Sequence, residues 1–452
     1  MMYGAHDGDV VVLQVVVLVW LLGWMLRAVL RIAAGDSRTV LLVQVIFVLF
    51  CGGPLLLDLT YGAPEYSYHW GFILSQYDRA TNLIYLGYLA FIPVALELFG
   101  GRDSARGVVE PIVLALNPWP RAVAWMSMLA LPASLLLAPR PELFLEYASS
   151  IRDPTAQGSV LYFLVIALVS TLTIIAAVLI LAARGTRPIE RVLAMMLLAL
   201  ALWTQGKRSS VALASLLLLY LLWMRGTLRG ARFIAVALSI VLGLAGFSYL
   251  YQTRVREVRT EDRDLRSKQA SSFYVNTRTD YGRDAVIKQS IYAELNPDQL
   301  RILDYRGESL VFCTLFFVPR SLWPGKPYPY AIYVTAAMMR APRRDYRWGV
   351  TTSIFDEAIA NFGWPGLLIG PLIPARVCAI GDRRRSPFVA ILTVTIASLL
   401  VVLHAAAFIP LILLWLLLVW RTRPVARSAP APRRGLGTDR GRVAAMPARN
   451  PR

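Results

Sequence analysis

Apolar runs of about 17–25 residues, the length that covers a bilayer core of ~30 Å, follow one another along most of the 452 residues of this chain. They read as eleven helical spans, at 10–31, 38–58, 82–100, 121–139, 158–183, 189–205, 209–225, 231–252, 361–379, 387–404 and 405–420. The first, VVVLQVVVLVWLLGWML, follows acidic rather than basic residues and has no small-residue cleavage site. It therefore reads as a span and not as a signal peptide. The least regular part is 387–420, which also reads as one bent span with a re-entrant piece. The pattern predicts an all-α polytopic membrane protein.

Basic residues mark every second connection: Arg27, Arg31 and Arg38, then Arg102 with Arg106, Arg184 with Arg187, Arg225 with Arg229, and Arg383 to Arg385. Short connections rich in Arg stay in the cytoplasm, so the N-terminus is expected outside and the C-terminus inside. Four regions follow. Residues 1–252 hold spans one to eight, 253–360 form one large extracytoplasmic loop with partly interfacial helices, and 361–420 hold spans nine to eleven. The tail 421–452 is Pro-, Arg- and Gly-rich with almost no bulky apolar residues, and is expected to be disordered.

Composition agrees with a membrane protein: 57% of residues are hydrophobic and the mean hydropathy is +0.54. The formal net charge of +19 would suit nucleic acid, but the arginines sit at the ends of apolar runs, where topology requires them. Membrane lipid is the expected surrounding, with no nucleic-acid partner. Cys51, Cys313 and Cys378 have no metal or redox spacing, and Cys51 and Cys378 read as small core residues. Three scattered histidines make a metal centre unexpected. No internal repeat or matched pair of broken spans, the mark of alternating-access carriers, is visible.

The outer side carries charge that needs a reason. The turn TQGKRSSVA puts Lys207 and Arg208 there, and the long loop adds Arg254, Arg256, Arg278, Arg283, Arg320 and Lys326. A guanidinium binds phosphate oxygens two at a time, while Lys acts as a point charge. Lys207, Arg208, Arg283, Arg320 and Lys326 are thus candidates for holding a lipid diphosphate at headgroup level. The stretch FFVPRSLWPGKPYPYAIY adds four prolines, which pre-order the backbone. Its Trp323, Tyr328 and Tyr330 suit the interface and are candidates for stacking on sugar. The same aromatics also read as plain interface anchors, and Lys207 with Arg208 as snorkelling cations. The arginines of 254–268, mixed with Glu257, Glu261, Asp262 and Asp264, read as a solvated helix face. In FDEAIANFGWPG, Asp356 or Glu357 is a candidate general base near the outer membrane surface, with Asn361 beside it as a sugar contact. In the plainer reading Asp356 caps a helix and Glu357 pairs with an arginine. Gly363, Pro365 and Gly366 mark a bend where the chain enters the bilayer.

These motifs resemble the O-antigen and related surface-polysaccharide polymerases of the Wzy type. The resemblance rests on GKRS at a span end, DYGRDAV after span eight, VPRSLWPGKP in the large loop and DEAIANFGWPG leading back into the membrane. It covers residues 200–370; the N-terminal half matches only in hydropathy and span count. It implies a membrane glycosyltransferase of GT-C-like architecture, working on the outer face of the bacterial cytoplasmic (inner) membrane. Such an enzyme transfers a growing glycan from undecaprenyl diphosphate to the next lipid-linked repeat unit, without metal or other cofactor. A chain-length-regulating co-polymerase is a candidate partner. By this resemblance Arg208 matches the span-end arginine, Arg283 the arginine after span eight, Arg320 with Lys326 the proline-arginine motif, and Glu357 the acid before NFG. Ile359 stands where the family often has an aromatic, which leaves the choice between Asp356 and Glu357 open.

The chemistry of the residues agrees with that family. Cleaving an anomeric bond to diphosphate builds negative charge on the leaving group, and arginines that bind it more strongly as it grows lower the barrier. One carboxylate with a good leaving group suits a single displacement with inversion. An O-antigen ligase-like or other lipid-linked glycosyltransferase shares this logic. A flippase or transporter of lipid-linked sugars would instead place charges within the spans, where the sequence shows almost none.

Overall fold

The computed structural model describes residues 8–66, 69–101, 118–138, 141–142, 160–206, 208–250, 274, 278, 281–345, 349–384 and 386–422. The basic tail from 423 onward and the mixed-charge run 254–268 lie outside the described residues. No strand occurs among those described. In chain order the helices are α1 (Gly8–Ala33), α2 (Thr39–Phe47), α3 (Gly53–Tyr61), α4 (Trp70–Tyr77), α5 (Arg79–Phe99), α6 (Pro118–Leu136), α7 (Val160–Ala182), α8 (Pro188–Gln205) and α9 (Arg208–Met224). There follow α10 (Ala231–Leu250), α11 (Asp284–Leu295), α12 (Glu308–Thr314), α13 (Tyr330–Met339), α14 (Ile354–Phe362), α15 (Gly366–Asp382), α16 (Pro387–Val402) and α17 (Ile409–Arg421). Every apolar run singled out in the sequence contains a helix. Gly8–Ala33, Thr39–Tyr61, Arg79–Phe99 and Pro188–Gln205 are long and apolar enough to cross a membrane. Val12, Val16, Val19 and Leu26 on α1, and Met195 and Met196 on α8, point outward unburied, as helices set in hydrocarbon require.

One end of the bundle gathers the arginines of the first connection. Arg27, Arg31 and Arg38 reach Glu97 at 2.9, 3.6 and 3.1 Å. Asp382 accepts from the Thr39 amide and hydroxyl at 2.9 and 2.6 Å, and Arg384 donates to the Thr422 carbonyl. The ends of α2, α15 and α17 are therefore level here.

The second span is broken at its middle. A π-turn, Val48–Gly52, joins α2 to α3, and Pro54 follows with no N–H for the Phe50 carbonyl. In a water-free interior such groups need another donor. The Arg283 amide donates to Phe50 O at 3.0 Å, the Tyr85 hydroxyl to Cys51 O at 3.2 Å, and Arg278 Nη1 to Pro54 O at 2.6 Å. Arg278 also pairs with Asp58 at 2.9 Å and Asp284 at 2.6 Å. These contacts dock the start of α11, a loop helix by sequence, into the bundle interior.

A second loop helix is inserted as well. The Phe355 ring at the start of α14 meets Phe47 edge-on at 5.6 Å and Tyr88 at 6.4 Å, near the middles of the second and third spans. From there α14 runs to Gly363, whose φ of 67° turns the chain, and α15 packs back along it. Glycine permits that closeness: a Cβ on Gly366 would collide with the Ala358 carbonyl, and one on Gly370 would lie 2.7 Å from the Tyr88 hydroxyl.

Helices α16 and α17 have 16 and 13 residues, so they rise about 24 and 20 Å, against about 35 Å for the 23 residues of Thr39–Tyr61. Since the start of α16 and the end of α17 lie at the level end, the turn 403–408 joining them falls short of the far end of the second span by about 10 Å. Arg278→Met removes the partner of two buried carboxylates and of the Pro54 carbonyl. It should cost about 3–5 kcal/mol, read as a large fall in thermal midpoint in nanodiscs, whereas exposed Arg344→Met should leave the midpoint unchanged. An unaltered midpoint in the Arg278 variant would contradict the docking role.

Candidate functional site

The start of α14 is built as a capping box. The Ser353 hydroxyl accepts from the Phe355 amide at 3.3 Å, while Asp356 Oδ1 accepts from the Ser353 amide at 2.7 Å and from its hydroxyl. This pairing satisfies donors at the helix start, so Asp356 adopts the capping role that was its plainer reading. Burial pushes the Asp356 carboxyl up, and the Ser353 hydroxyl and amide oppose that. Tyr330 lies beside Asp356, fully buried, with its hydroxyl 3.2 Å from Ser290 Oγ. A buried Tyr330 offers no face to a sugar.

Glu357, one residue on, faces another way and has no arginine partner among the described residues. Its Oε1 accepts from the Ser309 hydroxyl at 2.8 Å and its Oε2 from the Ala405 amide at 3.2 Å. Asn361 donates to Ser309 Oγ at 2.8 Å and, one helical turn back, to the Glu357 carbonyl at 2.7 Å. Asn361 thus orients Ser309, which orients the carboxylate. Burial raises the Glu357 carboxyl, while the Ser309 hydroxyl and then the Ala405 amide pull it down. Both acids are fully buried, deeper than the surface position expected from sequence.

Arg283 arrives at the same place from the docked end of α11. Its Nε donates to the Val402 carbonyl at 3.0 Å and its Nη1 to the Gly282 carbonyl at 3.0 Å. Its guanidinium lies 5.6 Å from the Phe50 ring centre. One short turn, Val402 to Ala405, is therefore held at its first carbonyl by Arg283 and at its last amide by Glu357. Three residues span at most about 10 Å, so the two buried side chains grip one short turn from its two ends.

The other expected cations are placed differently. Arg320 donates to the carbonyls of Lys326 at 2.6 Å and Pro327 at 2.9 Å, with its guanidinium 4.0 Å from the Tyr328 ring centre. The Lys326 ammonium donates to the carbonyls of Phe316 and Val318, both at 2.7 Å. Burial and then the Arg320 charge lower the Lys326 pKa. The pair knits the loop together. Lys326 reaches the Glu357 site only at one remove, through Phe312, whose ring centre is 5.1 Å from its Nζ and which shares α12 with Ser309. Trp323 is half-buried in the same loop. Arg208 opens α9, and Lys207, Arg254 and Arg256 lie outside the described residues.

The structure brings together Arg283, Glu357 and Asn361, and adds Ser309, a lone serine with no sequence signal. Lys288 on α11 is buried apart from these residues' contacts, with its ammonium 5.1 Å from the Tyr85 ring centre. No metal-ligand cluster of His, Cys, Asp or Glu occurs among the described residues.

Ser309→Ala removes a donor that lowers the Glu357 pKa, so the carboxyl should titrate at higher pH than in the wild type. Infrared titration of the protonated carboxyl band, with Glu357→Gln as reference, reads this directly. An unshifted band would contradict the assignment. No family model, curated protein or solved structure matches the chain.

Proposed function

We propose that the chain is a membrane glycosyltransferase that lengthens a polysaccharide by joining oligosaccharide units carried on a polyprenyl diphosphate. The observation that supports this reading best is the grip of Glu357 and Arg283 on opposite ends of the Val402–Ala405 turn. It sets a buried carboxylate and a buried guanidinium on one short turn among apolar helices. In this reading the acceptor sugar hydroxyl gives its proton to Glu357 as its oxygen attacks the donor's anomeric carbon. The anomeric bond to the diphosphate breaks, the electron pair leaves with the diphosphate, and the anomeric configuration inverts. The Arg283 charge favours that departing anion more as its charge grows. Asn361 and Ser309 hold the base in position. Arg320 and Lys326 order the neighbouring loop. The reading carries with it the eleven-span topology, a GT-C-like architecture and an extracytoplasmic site.

A second reading, transport of lipid-linked sugars, is favoured by one specific observation. The second span is broken beside the buried charges of Asp58, Arg278 and Asp284, a feature that ion-coupled carriers share. Gel profiles of surface polysaccharide and of lipid-linked intermediates from cells lacking the gene separate the readings. Polymerase loss leaves single repeat units. Full-length polymer stranded on the lipid carrier means a ligase, and repeat units trapped in the inner leaflet mean a transporter. With the protein present at normal membrane levels, Glu357→Gln should slow chain growth about 10²–10⁴-fold. Because burial raises Glu357, wild-type chain growth should fall off on the acid side at a pH above the ordinary glutamate range. Growth that persists in Glu357→Gln would contradict its role as base.

A further inference from the structure

Residues 315–327 join α12 to α13 without forming an α-helix, yet they expose Leu315, Phe316, Phe317 at 70% and Leu322 at 79%. Leu310, Thr314 and Phe317, spaced as one helix face, are all exposed and run from α12 into the loop. A loop bathed in water leaves its carbonyls to solvent. Here the Leu315 carbonyl accepts from the Val318 amide at 3.2 Å, Pro319 from Leu322 and Trp323 at 3.1 and 3.2 Å, and Trp323 from Lys326 at 3.0 Å. The carbonyls of Phe316 and Val318 take the Lys326 ammonium, and those of Lys326 and Pro327 take the Arg320 guanidinium. Pro319, Pro324 and Pro327 have no N–H to satisfy.

An irregular backbone whose carbonyls at Leu315, Phe316, Val318, Pro319 and Trp323 are satisfied within the loop, combined with exposed Phe and Leu side chains, suits the boundary of a bilayer better than bulk water. The neighbouring structure supplies the lipid. Helix α12 packs on the turn joining α16 to α17, so the loop leaves directly from the bundle of apolar helices. Arg320 and the half-buried Trp323 and Tyr328 have the amphipathic character that suits headgroup level.

We infer that residues 315–323 form a knob that dips into the headgroup–acyl boundary of the membrane holding the helices. The two cations that looked like ligands for a substrate instead make the loop backbone fit for that environment. The knob begins two turns from Ser309, so it anchors the helix carrying a Glu357 contact to the lipid surface.

The test uses the full chain in nanodiscs, with a nitroxide on Leu322→Cys or Phe317→Cys. Cys51, Cys313 and Cys378 are replaced by alanine, and exposed Asp298→Cys serves as a water-facing reference. Oxygen, which concentrates in lipid, should relax the labels at 317 and 322 more than a water-soluble nickel chelate does, with the reverse at 298. Labels at 317 and 322 that behave like 298 would place the loop in water and overturn the inference. Labels shielded from both relaxants would mean that protein covers the knob, which overturns it equally. Because 317 and 322 are exposed, neither label disturbs packing. The unlabelled cysteine-free chain must match the wild-type thermal midpoint for the comparison to stand.

Discussion

Pro54 gives the Phe50 carbonyl no amide, and the π-turn beside it opens the second span at its middle. In the water-free interior of a membrane protein, that backbone must be satisfied from elsewhere in the chain. The donors come from residues more than 200 positions away, the Arg283 amide and the Arg278 guanidinium, together with the Tyr85 hydroxyl. Arg278 brings its own charge into the bundle and finds Asp58 and Asp284 there. From this follows the position of α11, and with it the side chain of Arg283. The broken span is thus what draws the long loop inward and places buried polar groups inside the bundle.

Helix α14 reaches the same turn from the other side, through Glu357. Its start is held at mid-bundle by Phe355 against Phe47 and Tyr88, and its return path depends on the missing side chains of Gly366 and Gly370. Short α16 and α17 lower the turn between them to the level of Glu357 and Arg283. No single element forms the site; a half-inserted helix from each end of the loop and one recessed turn meet there.

Much of the bundle was legible because a span leaves a long apolar record, and each run in the sequence contains a helix. The arginines of the first connection were legible too, since Arg27, Arg31 and Arg38 share one end around Glu97. The bend at Gly363 to Gly366 followed from glycine and proline chemistry. The depth of α11 and α14 did not follow, because helices of 12 and 9 residues are too short to register as membrane segments. Charge alone also could not say where Arg320 and Lys326 point; in the structure they turn back on their own loop's carbonyls. The choice between the adjacent acids needed hydrogen-bond geometry. Asp356 caps a helix, and Glu357 faces Ser309 and Ala405. Ser309 carried no sequence signal, since its role depends on a helix 48 residues away in the chain.

The most direct test of the central claim is elongation by the purified chain alone. The protein would be reconstituted in nanodiscs with a lipid-diphosphate-linked oligosaccharide from its own cells, and the lipid-linked products read by mass spectrometry and anomeric NMR. The account predicts products longer by whole repeat units, joined with inverted anomeric configuration, and release of free polyprenyl diphosphate. Substrate recovered unchanged by protein that is folded and shown to bind it, or a product with retained configuration, would contradict the account.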